Sequence, residues 1–130
     1  MDSSGVRGRL GVVLAGLAVS GVLAVAVPGT AYAAPDSCAG RKIRTFTFAT
    51  GSVKLYKSGA YLCAMTFPKR SGGQRWMAVS LRVRGFEAVE DSGWYARHAG
   101  PVTSYVGSRK VWIKGRVGDG RYDSGGWKRY

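Results

Sequence analysis

Cations alternate with a tryptophan near the C-terminal end of the sequence. Every second residue between positions 110 and 116 is basic or aromatic, whereas the positions between them are apolar or glycine. Because successive side chains of a β-strand point to opposite faces, this spacing predicts a strand with one basic, aromatic face. An indole flanked by cations can stack on a base or sugar ring while the cations contact an anionic group. The candidate binding residues on this strand are Lys110, Trp112, Lys114 and Arg116.

Two more arginines extend this candidate surface. Arg82 and Arg84 alternate with apolar residues at odd positions from 77 to 83, so we expect them to face outward on a half-buried strand. Two alternatives remain open. A second sheet could cover Trp112, and outward basic residues can serve only to guard sheet edges against aggregation. The exposure of Trp112 therefore bears directly on whether these six residues form a binding surface.

Groups suited to catalysis are sparse. The sequence contains one histidine and seven carboxylates, and it lacks the G-x-S-x-G, H-E-x-x-H and phosphate-loop motifs. A small secreted ribonuclease or toxin is the enzymatic alternative, in which Glu87 or Glu90 would act with His98 in acid–base catalysis. Arg97 would then bind the phosphate. These residue types are common in proteins, so we assign no catalytic residue, no metal site and no cofactor.

The N-terminal region has the pattern of a secretory signal peptide. Arg7 and Arg9 precede an uncharged apolar run from Leu10 to Val27, and Ala31-Tyr32-Ala33 supplies the small residues that a signal peptidase recognises. We therefore predict cleavage after residue 33 and a secreted, extracellular protein with no membrane span after cleavage.

Residues 34–130 are predicted to form a single small domain with a strong positive charge. The full chain has 20 Lys+Arg and 7 Asp+Glu, and this segment keeps 18 of the basic and six of the acidic residues, a net charge of +12. Such a charge attracts polyanions and exceeds the magnitude of about 2–8 that suffices for solubility. The sequence has two cysteines, Cys38 and Cys63. In an exported chain an even pair usually forms a disulfide.

The segment has the pattern of short strands separated by glycine-rich turns. Apolar residues recur at every second position, and no window has a clean helical period. We predict an all-β fold, a small antiparallel β-sandwich or barrel of six to seven strands. The predicted strands cover residues 43–48, 53–57, 60–67, 77–84, 94–99, 102–106 and 110–117.

Two connecting regions carry further expectations. Residues 87–93 are predicted to form a hairpin connection with Glu90-Asp91 at its tip, because acidic residues and glycine favour exposed turns. The tail from Gly118, rich in Gly, Asp and Ser, is predicted to form a weak edge strand or to be loose.

Parts of the segment resemble a known family. The residues that carry the likeness are the strand Val79–Val83, the acidic stretch Glu90-Asp91-Ser92-Gly93, Tyr95-Ala96, Gly100, Val102-Thr103-Ser104 and Leu55-Tyr56-Lys57-Ser58. They resemble the tendamistat-like family of small secreted α-amylase inhibitors of actinomycetes. The resemblance covers roughly a third of residues 34–130 and implies a six-stranded β-sandwich.

The sequence also departs from that family. The family has two disulfides, whereas this chain has cysteines for one, and Trp94 stands where a third cysteine would be. The inhibitory Trp-Arg-Tyr triplet is absent, and Ser58-Gly59-Ala60-Tyr61 occupies its turn. Since fold alone does not establish function, the resemblance carries an expectation about the fold more strongly than about inhibition.

Three functions follow, in order of preference. The charge and the candidate surface favour a secreted, non-catalytic binding protein that engages an anionic polymer or a cell-wall surface. The resemblance favours an inhibitor-like protein that docks a secreted hydrolase. A small secreted ribonuclease or toxin comes third.

Overall fold

A computed structural model describes residues 36–130, which form eight β-strands and no helix. The predicted signal peptide over residues 1–33 lies outside this range. The described part of the chain accordingly contains no helix long and apolar enough to cross a membrane. The strands are β1 (Arg41–Phe48), β2 (Gly51–Ser58), β3 (Tyr61–Pro68), β4 (Arg75–Val83), β5 (Ala88–Tyr95), β6 (Ala99–Tyr105), β7 (Val111–Val117) and β8 (Gly120–Asp123).

The strands form two four-stranded sheets. Sheet I has the order β8-β7-β4-β5 and sheet II the order β1-β2-β3-β6, and neighbouring strands are antiparallel. The chain forms β1 to β3 in sheet II, crosses to β4 and β5, returns to sheet II for β6, and ends with β7 and β8 in sheet I. This sandwich-like arrangement confirms the predicted all-β class, and the eight strands exceed the six to seven that were predicted.

The core lies between the sheets and follows the two-residue period of the sequence. On β4 the odd positions from 77 to 83 are buried, and on β7 the odd positions from 111 to 117 are buried. Val53, Leu55 and Leu62 close the core from sheet II. Each fully buried side chain of this size contributes about 1.5–3 kcal/mol. With the odd positions fixed inward, the even positions of β4 and β7 lie on the outer face of sheet I.

Gly115 of β7 lies where the two sheets approach closely. A Cβ at this position would overlap Val53 of β2 and would lie 2.8 Å from the Oγ1 atom of Thr66 on β3. Thr66 is fully buried, and its Oγ1 has no hydrogen-bond partner in the described part of the chain. The spacing of the sheets therefore requires glycine at position 115.

The connection between β4 and β5 differs from the sequence prediction. The predicted hairpin connection over 87–93 is wrong, because the turn occupies residues 84–87 and the segment from Ala88 onward is strand β5. The amide of Phe86 donates a hydrogen bond to the carbonyl of Val83 (2.9 Å), and Gly85 adopts a positive φ of 93°. A glycine in the left-handed region turns the chain early, so the acidic residues fall within a strand.

Asp91 is held in the middle of β5 by two hydrogen bonds. Its carboxylate accepts one from the hydroxyl of Tyr95 (2.7 Å) and one from the amide of Gly100 (2.7 Å). The bond to Asp91 raises the pKa of the Tyr95 hydroxyl. These partners explain why a carboxylate is accepted in a strand, where sequence alone favours a turn.

Strand β6 contains the Gly100-Pro101 pair that was predicted to separate two strands. The register between β3 and β6 shifts here, since Ala64 pairs with Val102 but Thr66 pairs with Ala99. Two residues of β6 thus oppose one residue of β3, which is the arrangement of a β-bulge. Because β6 is also an edge strand, a proline without an amide proton is tolerated there.

The C-terminal tail packs along β7, so its edge-strand alternative is confirmed. Strand β8 pairs with β7, and a further bridge joins Val111 to Lys128. Tyr122 stacks on Phe46 of β1 with ring centroids 4.7 Å apart, and Tyr130 meets the same ring edge-on at 5.8 Å. The tail therefore closes one side of the sandwich.

Cys38 and Cys63 form the predicted disulfide, with Cα atoms 5.7 Å apart. The bond fastens the segment before β1 to β3 in sheet II.

The close approach of the sheets gives a stability prediction. We expect Gly115→Ala to lower the free energy of unfolding by about 1–3 kcal/mol, because the added methyl group overpacks the core. Gly73→Ala is the matched control, since a Cβ there meets open space, and it should leave stability unchanged or raise it by up to about 1 kcal/mol. Urea unfolding of both variants measures the difference. Equal stability of the two variants would contradict the packing at Gly115.

The disulfide gives a second stability prediction. It closes a loop of 25 residues, for which the chain-entropy model gives about 3.5 kcal/mol. Cys38→Ala/Cys63→Ala should lower the free energy of unfolding by about 2–4 kcal/mol, as measured by urea unfolding. Non-reducing peptide mass spectrometry should recover the linked pair. Two alkylatable thiols in freshly purified protein would contradict the bond.

Candidate functional site

The outer face of sheet I carries the candidate surface, and the register of its strands fixes which side chains meet. Three even-numbered residues of β4 lie across from residues of both β5 and β7, and a fourth, Trp76, has its partner on β5. Trp76 pairs with Trp94, Ala78 with Ser92 and Arg116, Ser80 with Glu90 and Lys114, and Arg82 with Ala88 and Trp112. From β8, Arg121 pairs with Arg116 and Asp123 with Lys114.

Trp112 lies on this outer face, because its neighbours Val111 and Ile113 take the inward positions. Its side chain is half-buried. Its Nε1 donates a hydrogen bond to Oδ1 of Asp123 (2.6 Å), and its ring meets Trp127 edge-to-face at 5.5 Å. The indole is thus covered by the tail and not by the second sheet. It is held in a fixed position beside Lys114.

Asp123 anchors that indole. Its carboxylate also accepts a hydrogen bond from the amide of Gly125 (2.8 Å). This backbone bond, followed by the bond from Trp112 and the charge of Lys114, lowers the pKa of Asp123. The carboxylate is therefore ionised throughout the neutral range, and it stays available as an acceptor for the indole.

Arg82 stands at the same end of the sheet. Its Nε donates a hydrogen bond to the carbonyl of Phe86 (3.0 Å), and its guanidinium lies 5.6 Å from the centre of the Trp127 ring. A guanidinium over an indole face is an attractive cation–π arrangement. We term Trp112 and Trp127 the tail tryptophan pair. Arg82 packs against this pair through the ring of Trp127.

A second tryptophan pair lies at the other end of the sheet. Trp76 and Trp94 meet edge-to-face with centroids 5.6 Å apart, and Trp94 is 63% exposed. The six steps from Trp76 to Arg82, at 3.3 Å per residue, span about 20 Å of strand. Sequence reasoning did not include Trp76 or Trp94 in the candidate surface, because only the register of β4 with β5 brings them together.

A shallow groove of ≈ 290 Å³ lies between the two tryptophan pairs. The small side chains of Ala78, Ser80 and Ser92 form part of its lining. Its charged lining residues are the cations Lys114, Arg116 and Arg121 and the carboxylates Glu90, Asp91 and Asp123. Arg121 was missed by sequence reasoning, because its place depends on β8, a strand that the sequence left undecided.

Arg116 and Arg121 lie directly opposite each other on β7 and β8. Like charges in this position destabilise a pair of strands. The Nε of Arg116 donates to the carbonyl of Gly118 (2.7 Å), which fixes one arginine beside the other. An anion bound between the two guanidinium groups would relieve their repulsion.

Lys110 and Arg84 lie beyond the end of the face. Lys110 is half-buried and precedes β7, and Arg84 is exposed in the turn after β4. Their backbones are joined, since the amide of Arg84 donates to the carbonyl of Lys110 (2.9 Å). Of the six residues in the candidate set, the structure thus places Arg82, Trp112, Lys114 and Arg116 on one face and the other two at its edge.

More cations surround this edge. Arg109 lies 5.2 Å from the ring centre of Phe86, which is 54% exposed, and the Nε of Arg129 donates to the carbonyl of Ser108 (2.8 Å). Lys128 is held beside Val111 by the backbone bridge. This end of sheet I therefore carries several cations and an exposed aromatic ring.

The residues considered for catalysis are not gathered in one place. Glu87 precedes β5 and His98 follows it, so they are separated by an eight-residue strand. His98 contacts the carbonyl of Gly100 through Nδ1 (3.1 Å) and packs near Phe67. Within residues 36–130, no group of three or more His, Cys, Asp or Glu side chains could hold a metal ion.

Comparison with known proteins gives no match: no family model, no curated protein and no solved structure is similar to this chain.

The anchoring of Trp112 gives a pH prediction. The pKa of Asp123 is lower in the folded protein than the usual value, so its stabilising effect is complete above the unfolded pKa of about 4 and is lost as the pH falls through the lower folded pKa. Asp123→Asn should therefore make the loss of stability below pH about 4 shallower than in the wild type. Urea unfolding at several acidic pH values measures this slope.

Two variants test whether Trp112 is a hydrogen-bond partner of Asp123. Trp112→Phe keeps an aromatic ring but removes the N–H donor, so it should also reduce the acid slope. Trp94→Phe, which has no bond to Asp123, should keep the slope of the wild type. A slope that is the same in all four proteins would contradict the Trp112–Asp123 bond.

Proposed function

We propose that residues 34–130 form a secreted, non-catalytic binding protein that holds an anionic polymer along the outer face of sheet I. The observation that carries this proposal is the groove between two tryptophan pairs, whose lining holds three cations beside three carboxylates. Secretion is supported by the predicted signal peptide and by the disulfide, which is typical of oxidising compartments.

Electrostatics favour a polyanion as the ligand. The net charge of +12 over residues 34–130 creates a field that draws negative polymers toward the protein. On the face itself, the paired Arg116 and Arg121 lie side by side at a cost that a bound anion would offset. The net charge thus favours the encounter with a polyanion, and the arginine pair favours a bound anionic group at one position on the face.

The length of the surface favours a polymer over a small molecule. The two tryptophan pairs are about 20 Å apart along β4, and Ala78 and Ser80, which line the groove, lie between them on the same strand. A small anion would occupy one point of this surface, whereas a chain would reach both pairs. Arg84, Arg109 and Arg129 add positive charge near the end of sheet I that holds the tail tryptophan pair.

Binding should be sensitive to salt and should depend on sheet I. Lys114→Ala/Arg116→Ala should lower both the affinity for polyphosphate and its dependence on salt, since each neutralised phosphate contributes about 0.7–0.9 to the slope of log K against log salt. Arg41→Ala/Lys42→Ala removes the same charge from exposed positions of β1 in sheet II and is the matched control. Titration at several salt concentrations, with polyphosphate, polygalacturonate and single-stranded DNA as probes, measures the slopes.

The outcomes separate the functional hypotheses. Trp112→Ala should lower affinity by about 1–3 kcal/mol with little change in slope if a ring of the polymer stacks there. Absence of binding to all three probes at low salt, or equal losses in the two double variants, would contradict the proposal. A tight complex with a secreted hydrolase such as an α-amylase would then favour the inhibitor-like alternative.

A further inference from the structure

The lining of the groove has both signs of charge, arranged in rows across the strands. One row runs from the carboxylate of Glu90 through the hydroxyl of Ser80 and the ammonium of Lys114 to the carboxylate of Asp123. The next row runs from Ser92 through Ala78 to the guanidinium of Arg116. Each step between strands is about 4.8 Å. A ligand on this face therefore meets acceptors, hydroxyl groups and cations within a short distance.

This mixture selects for a ligand that carries hydroxyl donors as well as negative charge. An ionised carboxylate can only accept hydrogen bonds, so Glu90 needs a donor on the ligand. The backbone of DNA offers phosphate acceptors and would be repelled by Glu90. A chain of acidic sugars offers hydroxyl groups to the carboxylate and the serines, and it offers carboxylate or phosphate groups to the cations.

The spacing of the aromatic rings also favours a chain of sugars over a single-stranded nucleic acid. Proteins that hold single-stranded nucleic acid provide aromatic side chains on which successive bases stack. Here the two tryptophan pairs lie beyond the two ends of the groove, and the outward side chains between them include Ala78, Ser80 and Ser92. The one aromatic residue in the lining, Tyr122, has its ring stacked on Phe46 of sheet II. Bases in the middle would have no ring to stack on, whereas sugar hydroxyl groups there would meet serine hydroxyl groups.

From these observations we propose that the polymer is an acidic polysaccharide. This inference rests on the proposed function and adds the class of ligand. Trp94 and the tail tryptophan pair contact sugar rings at the two ends of the groove. Lys114, Arg116 and Arg121 bind the acidic groups, and Glu90 accepts hydrogen bonds from hydroxyl groups.

Glu90→Gln gives a test in which the two polymer classes respond in opposite directions. The probes are an oligogalacturonate and an oligodeoxythymidylate of equal length and therefore of similar charge. The variant should weaken oligogalacturonate binding by about three- to tenfold, because a charged acceptor of hydroxyl protons is lost. It should strengthen oligodeoxythymidylate binding, because a negative charge beside the phosphates is removed.

Glu87→Gln is the control, since Glu87 lies in the turn before β5 and outside the groove; it should change the affinities for both probes in the same direction. Both glutamates are exposed, so the variants should fold, which thermal unfolding checks. Tighter binding of both probes by Glu90→Gln, or preference of the wild type for the oligonucleotide, would overturn the polysaccharide assignment and leave the proposed function intact. Failure of both probes and of polyphosphate to bind the wild type would overturn the proposed function itself.

Discussion

The antiparallel register between β4 and β7 is the constraint on which both the core and the outer face depend. It pairs Met77 with Val117 and Val83 with Val111, so the apolar residues of both strands point inward together. The same register places Lys114 and Arg116 across from Ser80 and Ala78 on the outside. A slip by one residue would turn the apolar set toward water and the cations toward the core, so the burial of the core enforces the arrangement of the surface.

The tail converts this surface into a bounded groove. Asp123 fixes the indole of Trp112, and Trp127 packs against the same ring. Without the tail, β7 would be an edge strand and Trp112 would lack both partners. At the opposite end, the pairing of β4 with β5 brings Trp76 and Trp94 together, and the amide of Gly118 donates to the carbonyl of Trp76 (2.8 Å). The two boundaries of the groove thus depend on different parts of the chain, and the small side chains between them leave the sheet open to a ligand.

Local alternation was sufficient to predict part of this structure. The outward direction of Trp112 and Lys114 and the inward direction of Ile113 follow from a period of two, and the disulfide follows from the cysteine count and predicted export. Features that depend on partners distant in sequence could not be predicted. The carboxylate of Asp91 enters a strand only because Tyr95 and Gly100 bond to it. The tryptophan pair Trp76–Trp94 and the place of Arg121 require the register of neighbouring strands, which single-sequence patterns do not contain.

The most direct test is the titration of ¹⁵N-labelled protein with oligogalacturonate, followed through the indole N–H resonances of the four tryptophans and the backbone amides. Binding along the groove should shift the indole resonance of Trp94 and the amides of β4 and β7, with the size of the shifts falling as salt is added. The amides of Tyr61 and Tyr105, an exposed pair on sheet II, should remain in place. Shifts confined to sheet II, or no saturable shift at low salt, would contradict the assignment of the outer face of sheet I as the binding surface.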